Sequence, residues 1–399
     1  MKRKKLTASM IALVMSVSLP MTTYAANWYL EDGSVTVNAD NSGQTVTQGS
    51  GSAVPDEAPV ITQRESSVET GNTIAISTSD NAAANVTIKD INIKSSKDAI
   101  DVKGSSSANI TLEGDNKIFS ETGSALHISD GNVTINGSGS LKAEIQDEPS
   151  GYNHNAKIGS HEKEDMSGSI HITGDATVKT DDNIASDCEG DGAGIGSGED
   201  GEMSGTIVID GNAQVEVSSN DRGAGIGTGD DGNLSGNIMI GGNAQVSATG
   251  AENSAGIGTG DDGNFKGSIT IDGNAKVTAK ASGDHDDSEG SGIGTGDEGK
   301  FTGTVTIGGN AAVVAAGSDE GCGIGSSDWK NMNGIIIIRD HAKVTAYAGD
   351  DGAAIGSQDE GDMTGKIIIV GNAIVNTGVV DDAGNVLSNR IGYIGDGQD

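Results

Sequence analysis

The chain has 399 residues, with 63 Gly, 4 Pro, 2 Cys, 2 Trp, 5 Tyr and 3 Phe. Hydrophobic residues make up 34 %, short of the ~45–50 % of ordinary globular chains, so a conventional layered domain of this length would lack core. The balance of 24 basic against 58 acidic residues, a net charge of −34, excludes a general nucleic-acid binder, because phosphate binding needs clustered Lys and Arg.

Residues 1–26 read as a secretory signal peptide. Lys2-Arg3-Lys4-Lys5 precedes an apolar run from Leu6 to Leu19, and small residues lead to a cleavage point after Ala25 or Ala26. The run is too short to span a bilayer. The expectation is a secreted, extracellular protein with no membrane span, no lipid-bearing Cys at the cleavage point and no covalent wall anchor.

Residues 27–80 are β-prone, with Val35–Val37 and Ile74–Ile76 as strands, and Ser42–Pro59 reads as a loop. This segment is expected to cap one end of a larger β structure. Residues 81–157 carry short diverged coils, seen in Val86/Ile88, Ile91/Ile93 and Ile100/Val102, then Ile110/Leu112, Ile118 and Leu126/Ile128, then Val133/Ile135 and Leu141/Ala143.

Residues 158–375 hold seven longer repeats. A small-Gly-Ile-Gly-Ser/Thr motif recurs at Ile195, Ile226, Ile257, Ile293, Ile324 and Ile355, with weaker copies at Ile158 and Ile391. Each copy leads to an acidic turn, a Gly-x-Ile-x-Ile run, a Gly-Asn-Ala corner and a Val-x-Val/Ala run. The Ile-x-Ile pairs are Ile170/Ile172, Ile207/Ile209, Ile238/Ile240, Ile269/Ile271, Val305/Ile307, Ile335/Ile337 and Ile367/Ile369. Alternation of period two means strand. A unit of about 31 residues with three short strands buries nothing alone, but stacked units bury a continuous core. The predicted fold is all-β: a single right-handed parallel β-helix of about ten coils, three short strands per coil. Residues 376–399 are expected to cap the far end. The longer corners at Thr180–Asp191, Ala281–Glu289 and Asn376–Asn389 read as projections, with the charge run Asp284–Asp287 solvated.

Stacking turns equivalent residues into columns. One acidic column holds Glu199, Asp230, Asp261, Asp297, Asp328 and Asp359. Its neighbour holds Asp200, Asp231, Asp262, Glu298, Trp329 and Glu360. Like charges ~4.8 Å apart repel by roughly 1 kcal/mol per neighbour even in bulk water. The carboxylates Glu199, Asp200, Asp230, Asp231, Asp261, Asp262, Asp297 and Glu298 are therefore candidate Ca²⁺ ligands; the same Asp-Asp-Gly strings also make tight turns on their own. A second corner stacks Asp175, Asn212, Asn243, Asn274, Asn310, His341 and Asn372, expected to form a hydrogen-bonded ladder. With Ile226 and Ile257 inward, Gly225, Gly227, Gly256 and Gly258 would face outward as a bare strip on which an extended ligand or a second rod could lie. Trp329, Phe265, Phe301 and Tyr347 are the few aromatics in the repeats available to a sugar ring. Outward Ile336 and Ile368 suggest a contact patch. Cys322 falls in a column of small inward residues. Cys188 lies four coils away, beyond disulfide reach.

The repeated Gly-Ala-Gly-Ile-Gly-x-Gly with its Gly-x-Ile-x-Ile-x-Gly-Asn-Ala-x-Val continuation resembles the repeats of secreted bacterial carbohydrate-binding-domain-containing proteins. Asn85–Lys94, Ala99–Val102 and Asn109–Leu112 are similar to that family's N-terminal coils. The resemblance covers residues ~28–375. It implies a right-handed β-helix that binds plant cell-wall polysaccharide, acidic sugars in particular, together with Ca²⁺. The acids after each Gly-Ile-Gly depart from the family's commoner all-glycine versions. The mature chain has Arg only at positions 64, 222, 339 and 390, none placed with acids and His as a catalytic group, and it has no nucleophile elbow, P-loop or zinc motif. The expectation is a non-catalytic polysaccharide-binding protein, with an adhesin or surface rod as the alternative and a polysaccharide lyase or hydrolase as the lesser one.

Overall fold

A computed structural model describes residues 26–146, 153–180, 190–219, 221–282, 288–327, 331–349, 352–358, 362–380, 387 and 394–396. Residues 1–25, Cys188, Trp329, the charge run at 284–287 and most of the three long corners lie outside the described residues. Apart from one 3-10 turn at Leu30–Asp32, the described regular structure is all β. Among the described residues no helix is long and apolar enough to cross a membrane.

The strands form three long sheets of 12, 10 and 14 members, almost wholly parallel. From Ser169 to Ser357, consecutive strands join the Ile-x-Ile, Val-x-Ala and Gly-Ile-Gly sheets in turn. Stacked parallel sheets of this kind are consistent with a parallel β-helix. Equivalent residues sit opposite one another: Ile170, Ile207, Ile238, Ile269 and Val305 pair in succession, as do Val246, Val277, Val313 and Val344. These β-branched side chains are buried and pack into one core. Burying each is worth roughly 1.5–3 kcal/mol, and small Ala neighbours let the three sheets approach closely.

The sixth repeat departs from the expected register by one residue. Val305 pairs with Ile336 and Ile307 with Ile338, so Ile336 and Ile338 are buried while Ile335 is exposed. Four consecutive isoleucines carry no alternation, so period two cannot choose between the two faces. The preceding Met332, bridged to Phe301, sets the phase. The expected outward Ile336 is therefore a core residue, and Ile335 and Ile368 are the exposed pair.

Both ends also differ from expectation. Within the predicted loop Ser42–Pro59, Gly43–Gln48 is a strand, antiparallel to Val35–Asp40, with Val54–Pro55 at its edge. Gln44 and Val46 alternate inward there, a period-two signal masked by polar residues. Ending this sheet on a proline removes a donor from the free edge. At the other end the Gly-Ile-Gly sheet continues at Ile394, which pairs with Ile355; the expected copy at Ile391 lies outside the described residues.

A further core column was legible but overlooked. Met166, Met203, Leu234, Phe265, Phe301, Met332 and Met363 bridge one another in sequence, each two residues before a glycine. Phe265 and Phe301 are fully buried and meet edge to face, their ring centroids 4.8 Å apart. They are core residues, not sugar platforms.

Candidate functional site: an acidic edge and a lysine-lined groove

Each Gly-Ile-Gly segment is a pinched loop. The Ala224 N–H donates to the Thr228 carbonyl at 2.9 Å, and Ala193 and Ala255 repeat the contact with Ser197 and Thr259. Only the isoleucine reaches the core. The flanking glycines are buried, contrary to the expected bare strip. A Cβ on Gly225 would lie 2.7 Å from the Thr249 backbone nitrogen, and one on Gly256 2.4 Å from that of Lys280. The ends of the Val-x-Ala strands cover this face. Gly227 and Gly258 hold φ near +145° and +149°, pressed against the next repeat's carbonyl. The four glycines form no open ligand surface. Cys322 sits buried in the neighbouring small-residue column, where burial pushes its thiol up to about 12.

The pinch brings two flanks together and builds the acidic edge. The Asp230 N–H donates to the Asp191 carbonyl, that of Asp261 to Arg222, and that of Asp297 to Asn253. The two predicted acidic columns separate in role. Asp200, Asp231, Asp262 and Glu298 are exposed and take positive φ of 57°, 56°, 52° and 47°; they are turn residues. Asp230, Asp261 and Asp297 lie further in, and their carboxylates accept the N–H of the following acid at 2.9, 3.0 and 2.5 Å. His154 closes the series, with Nδ1 2.9 Å from Asp191 and 2.7 Å from Glu199. His154, Asp191 and Glu199 offer three ligand atoms within 4.8 Å of one another. Arg222 lies among these acids, 3.9 Å from Asp261. Asp328, Asp359 and Glu360 lie outside the described residues.

Burial and crowding raise these acids. Burial, then the charges of Asp261, Asp191 and Asp231, pushes Asp230 up to about 8. Burial with Asp297 and Asp262 pushes Asp261 up to about 7, and burial with Asp191 and Glu252 pushes Asp221 up to about 7. Arg222 opposes all three. A folded-state value above the unfolded one means that the native state binds the extra protons, so stability falls as pH rises from about 4 to 8. In chelator, the melting temperature is expected to be lower at pH 8.5 than at pH 5.5, by on the order of 5 °C. Asp230→Asn should recover part of that loss at pH 8.5 and change little at pH 5.5. A pH-independent melt would show that these carboxylates are not packed as described.

The Asn ladder forms as expected. The Asn243 amide donates to Asn212, Asn274 to Asn243 and Asn310 to Asn274, each at 3.0 Å, and Asn372 Nδ2 lies 3.1 Å from His341 Nε2. The positive φ at this corner belongs to the preceding residue, Gly211, Gly242, Gly273 or Asp340, not to the Asn.

Beside the ladder runs a feature the sequence reading missed. A shallow cavity of about 480 Å³ crosses the outer face of the Val-x-Ala sheet, lined by Lys179, Gln214, Glu216, Gln245, Ser247, Lys276, Thr278, Lys343 and Thr345 among others. A second, of about 520 Å³, shares Gln214, Gln245 and Lys276 with it and adds Asp175, Asn212, Asn243 and Asn274. The ten strands of this sheet carry Lys94, Lys117, Lys142, Lys179, Lys276, Lys280 and Lys343 against Asp115, Glu144 and Glu216. A protein of net charge −34 thus presents one sheet rich in cations. Lys142 pairs with Glu144 and Lys179 with Glu216; Lys276 and Lys343 are exposed and have no ion pair among the described residues.

The chain matches no protein-family model, no curated protein and no solved structure.

The histidines form a second grouping that spacing did not reveal. His127 and His161 stack with centroids 3.8 Å apart and planes 7° from parallel. Burial disfavours charge on His127, but hydrogen bonds to Asp101 and Glu164 and the charges of Glu164 and Asp98 outweigh it and push the imidazole up to about 9.

Proposed function

We propose that this is a secreted, non-catalytic polysaccharide-binding protein: a single right-handed β-helix of about ten coils, three strands each, that lays an extended acidic glycan along its lysine-lined groove. The carrying observation is that groove. It runs across successive repeats beside a ladder of amides, and Lys276 and Lys343, which have no ion pair among the described residues, face solvent. Amides and hydroxyls suit sugar hydroxyl groups, and spaced ammonium groups suit carboxylates along a chain. The signal-peptide layout of residues 1–26 and the resemblance to secreted carbohydrate-binding repeats support the same reading. Ca²⁺ has a place in it at the acidic edge. Half-buried Asp230 and Asp297 and buried Asp261, with Asp191 and Glu199, are oxygen donors whose mutual repulsion a hard cation would relieve. Rod–rod association through the exposed Met239, Ile335 and Ile368 face is part of the proposal.

Retention on polygalacturonate, alginate and cellulose columns, with Ca²⁺ or with chelator, tests this. The expected result is retention on the acidic polymers, weakened by chelator and by salt. Release of chain ends from the polymer would replace binding with catalysis. Absence of retention, with adhesion to cells, would leave the surface-rod reading in its place.

A further inference from the structure

We infer that the strand Ala312–Ala316 floors a subsite of the groove that seats one uronic-acid residue, its carboxylate held between Lys276 and Lys343. This rests on the reading of the groove as a glycan site and says where along it the acid is gripped. The observation is a gap in the outer face of the Val-x-Ala sheet. Every other described strand of that sheet points at least one polar side chain outward, from Lys94 at one end to Asn376 at the other. Ala312–Ala316 buries Val313 and Ala315 and points only Ala312, Val314 and Ala316 outward. The equivalents of Ala312 in two earlier repeats are Gln214 and Gln245.

The neighbouring strands wall the gap. Lys276, Thr278 and Lys280 stand opposite its three outward residues on one side, and Lys343, Thr345 and Tyr347 on the other. Two strand spacings put the Lys276 and Lys343 backbones roughly 9.6 Å apart, so both ammonium groups reach an anion seated over Ala312. The Tyr347 ring lies over Gly378, where an added Cβ would be 3.0 Å from it, and so leaves the floor open. None of these three strands carries an acidic residue, so no carboxylate of their own competes for the ammonium groups. Glu216, further along the sheet, pairs with Lys179. Floor and walls together fit a sugar acid. Small apolar groups accept the C–H face of a pyranose ring, threonine hydroxyls meet its hydroxyl groups, and two ammonium groups hold its carboxylate by charge-assisted hydrogen bonds. A neutral sugar would leave the lysines unused, and a small inorganic anion would leave the floor unused.

The test titrates trigalacturonic acid, and its methyl ester as the uncharged analogue, into the full chain at low salt, read by calorimetry. Ala312→Gln leaves every lysine in place and fills the floor with the side chain that Gln214 and Gln245 carry in the same column, so the fold accommodates it. It should weaken trimer binding at least about tenfold, as should esterification. Ala312→Ser, which keeps the floor low, and Thr306→Gln, on another sheet of the same repeat, should each stay within about twofold. Equal binding by Ala312→Gln while Lys276→Glu with Lys343→Glu loses it would overturn the subsite and leave the groove reading standing. Equal affinity for the ester, or no trimer binding by a chain that polygalacturonate still retains, would overturn the subsite in the same way. Failure of both trimer binding and polymer retention would overturn the groove reading, and the subsite with it.

Discussion

Gly227→Ala is expected to cost about 3 kcal/mol or more of stability, although it adds one methyl group. The reason is backbone against backbone. An added Cβ would lie 1.8 Å from the Gly258 carbonyl oxygen at a φ of +145°. Neither side can yield, because the Ile226 N–H donates to the Gly256 carbonyl and the Thr228 N–H to the Gly258 carbonyl. Gly241→Ala is the control. Its Cβ would meet nothing within 4 Å, and there the change should be neutral or stabilise by up to ~1 kcal/mol through the unfolded chain. Urea midpoints of the two variants settle the matter. Equal midpoints would mean that the Gly-Ile-Gly segments are not packed repeat on repeat, and the acidic edge built by their pinch would go with them.

The second large effect is on binding. Lys276→Glu with Lys343→Glu should reduce retention on an acidic polysaccharide at least about tenfold at low salt, with a smaller loss at high salt, because screening shortens the reach of exposed charge. Both residues are exposed, so the fold should tolerate the change. Lys266→Glu, which reverses one charge where the groove variant reverses two and lies outside the groove, should leave binding within about twofold, since a distant exposed charge is largely screened. If Lys266→Glu costs as much as the groove variant, attraction is diffuse and the groove is not the site. If neither variant changes retention, the glycan lies elsewhere.

How much was readable beforehand depended on the reach of the interaction concerned. The isoleucine and valine columns were legible because alternation is local and burial of β-branched residues is the dominant stabilising effect. The Asn ladder was legible because like side chains at the same place in each repeat fall into one column. Where alternation failed, the reading slipped: Ile335–Ile338 is apolar at every position, and Gly43–Gln48 hides its strand behind Gln and Thr. The bare glycine strip was misread because exposure belongs to the neighbour. Nothing near Gly225 in sequence says that the backbone of Thr249 covers it.

The sites show the same division. Acidic repeats announce an acidic edge. That one column turns the chain at positive φ while the other lies half-buried beside Arg222 depends on how the two flanks of each pinched loop meet. Asp98, His127 and His161 are spread over 63 residues of chain, with no common spacing, and only the stacking of successive repeats brings them together. Repetition and side-chain chemistry are written along the chain, so period, strand character and net charge could be read from it directly. Which face is covered and which side chains converge are properties of contacts between distant segments, and these exist only once the sheets have stacked.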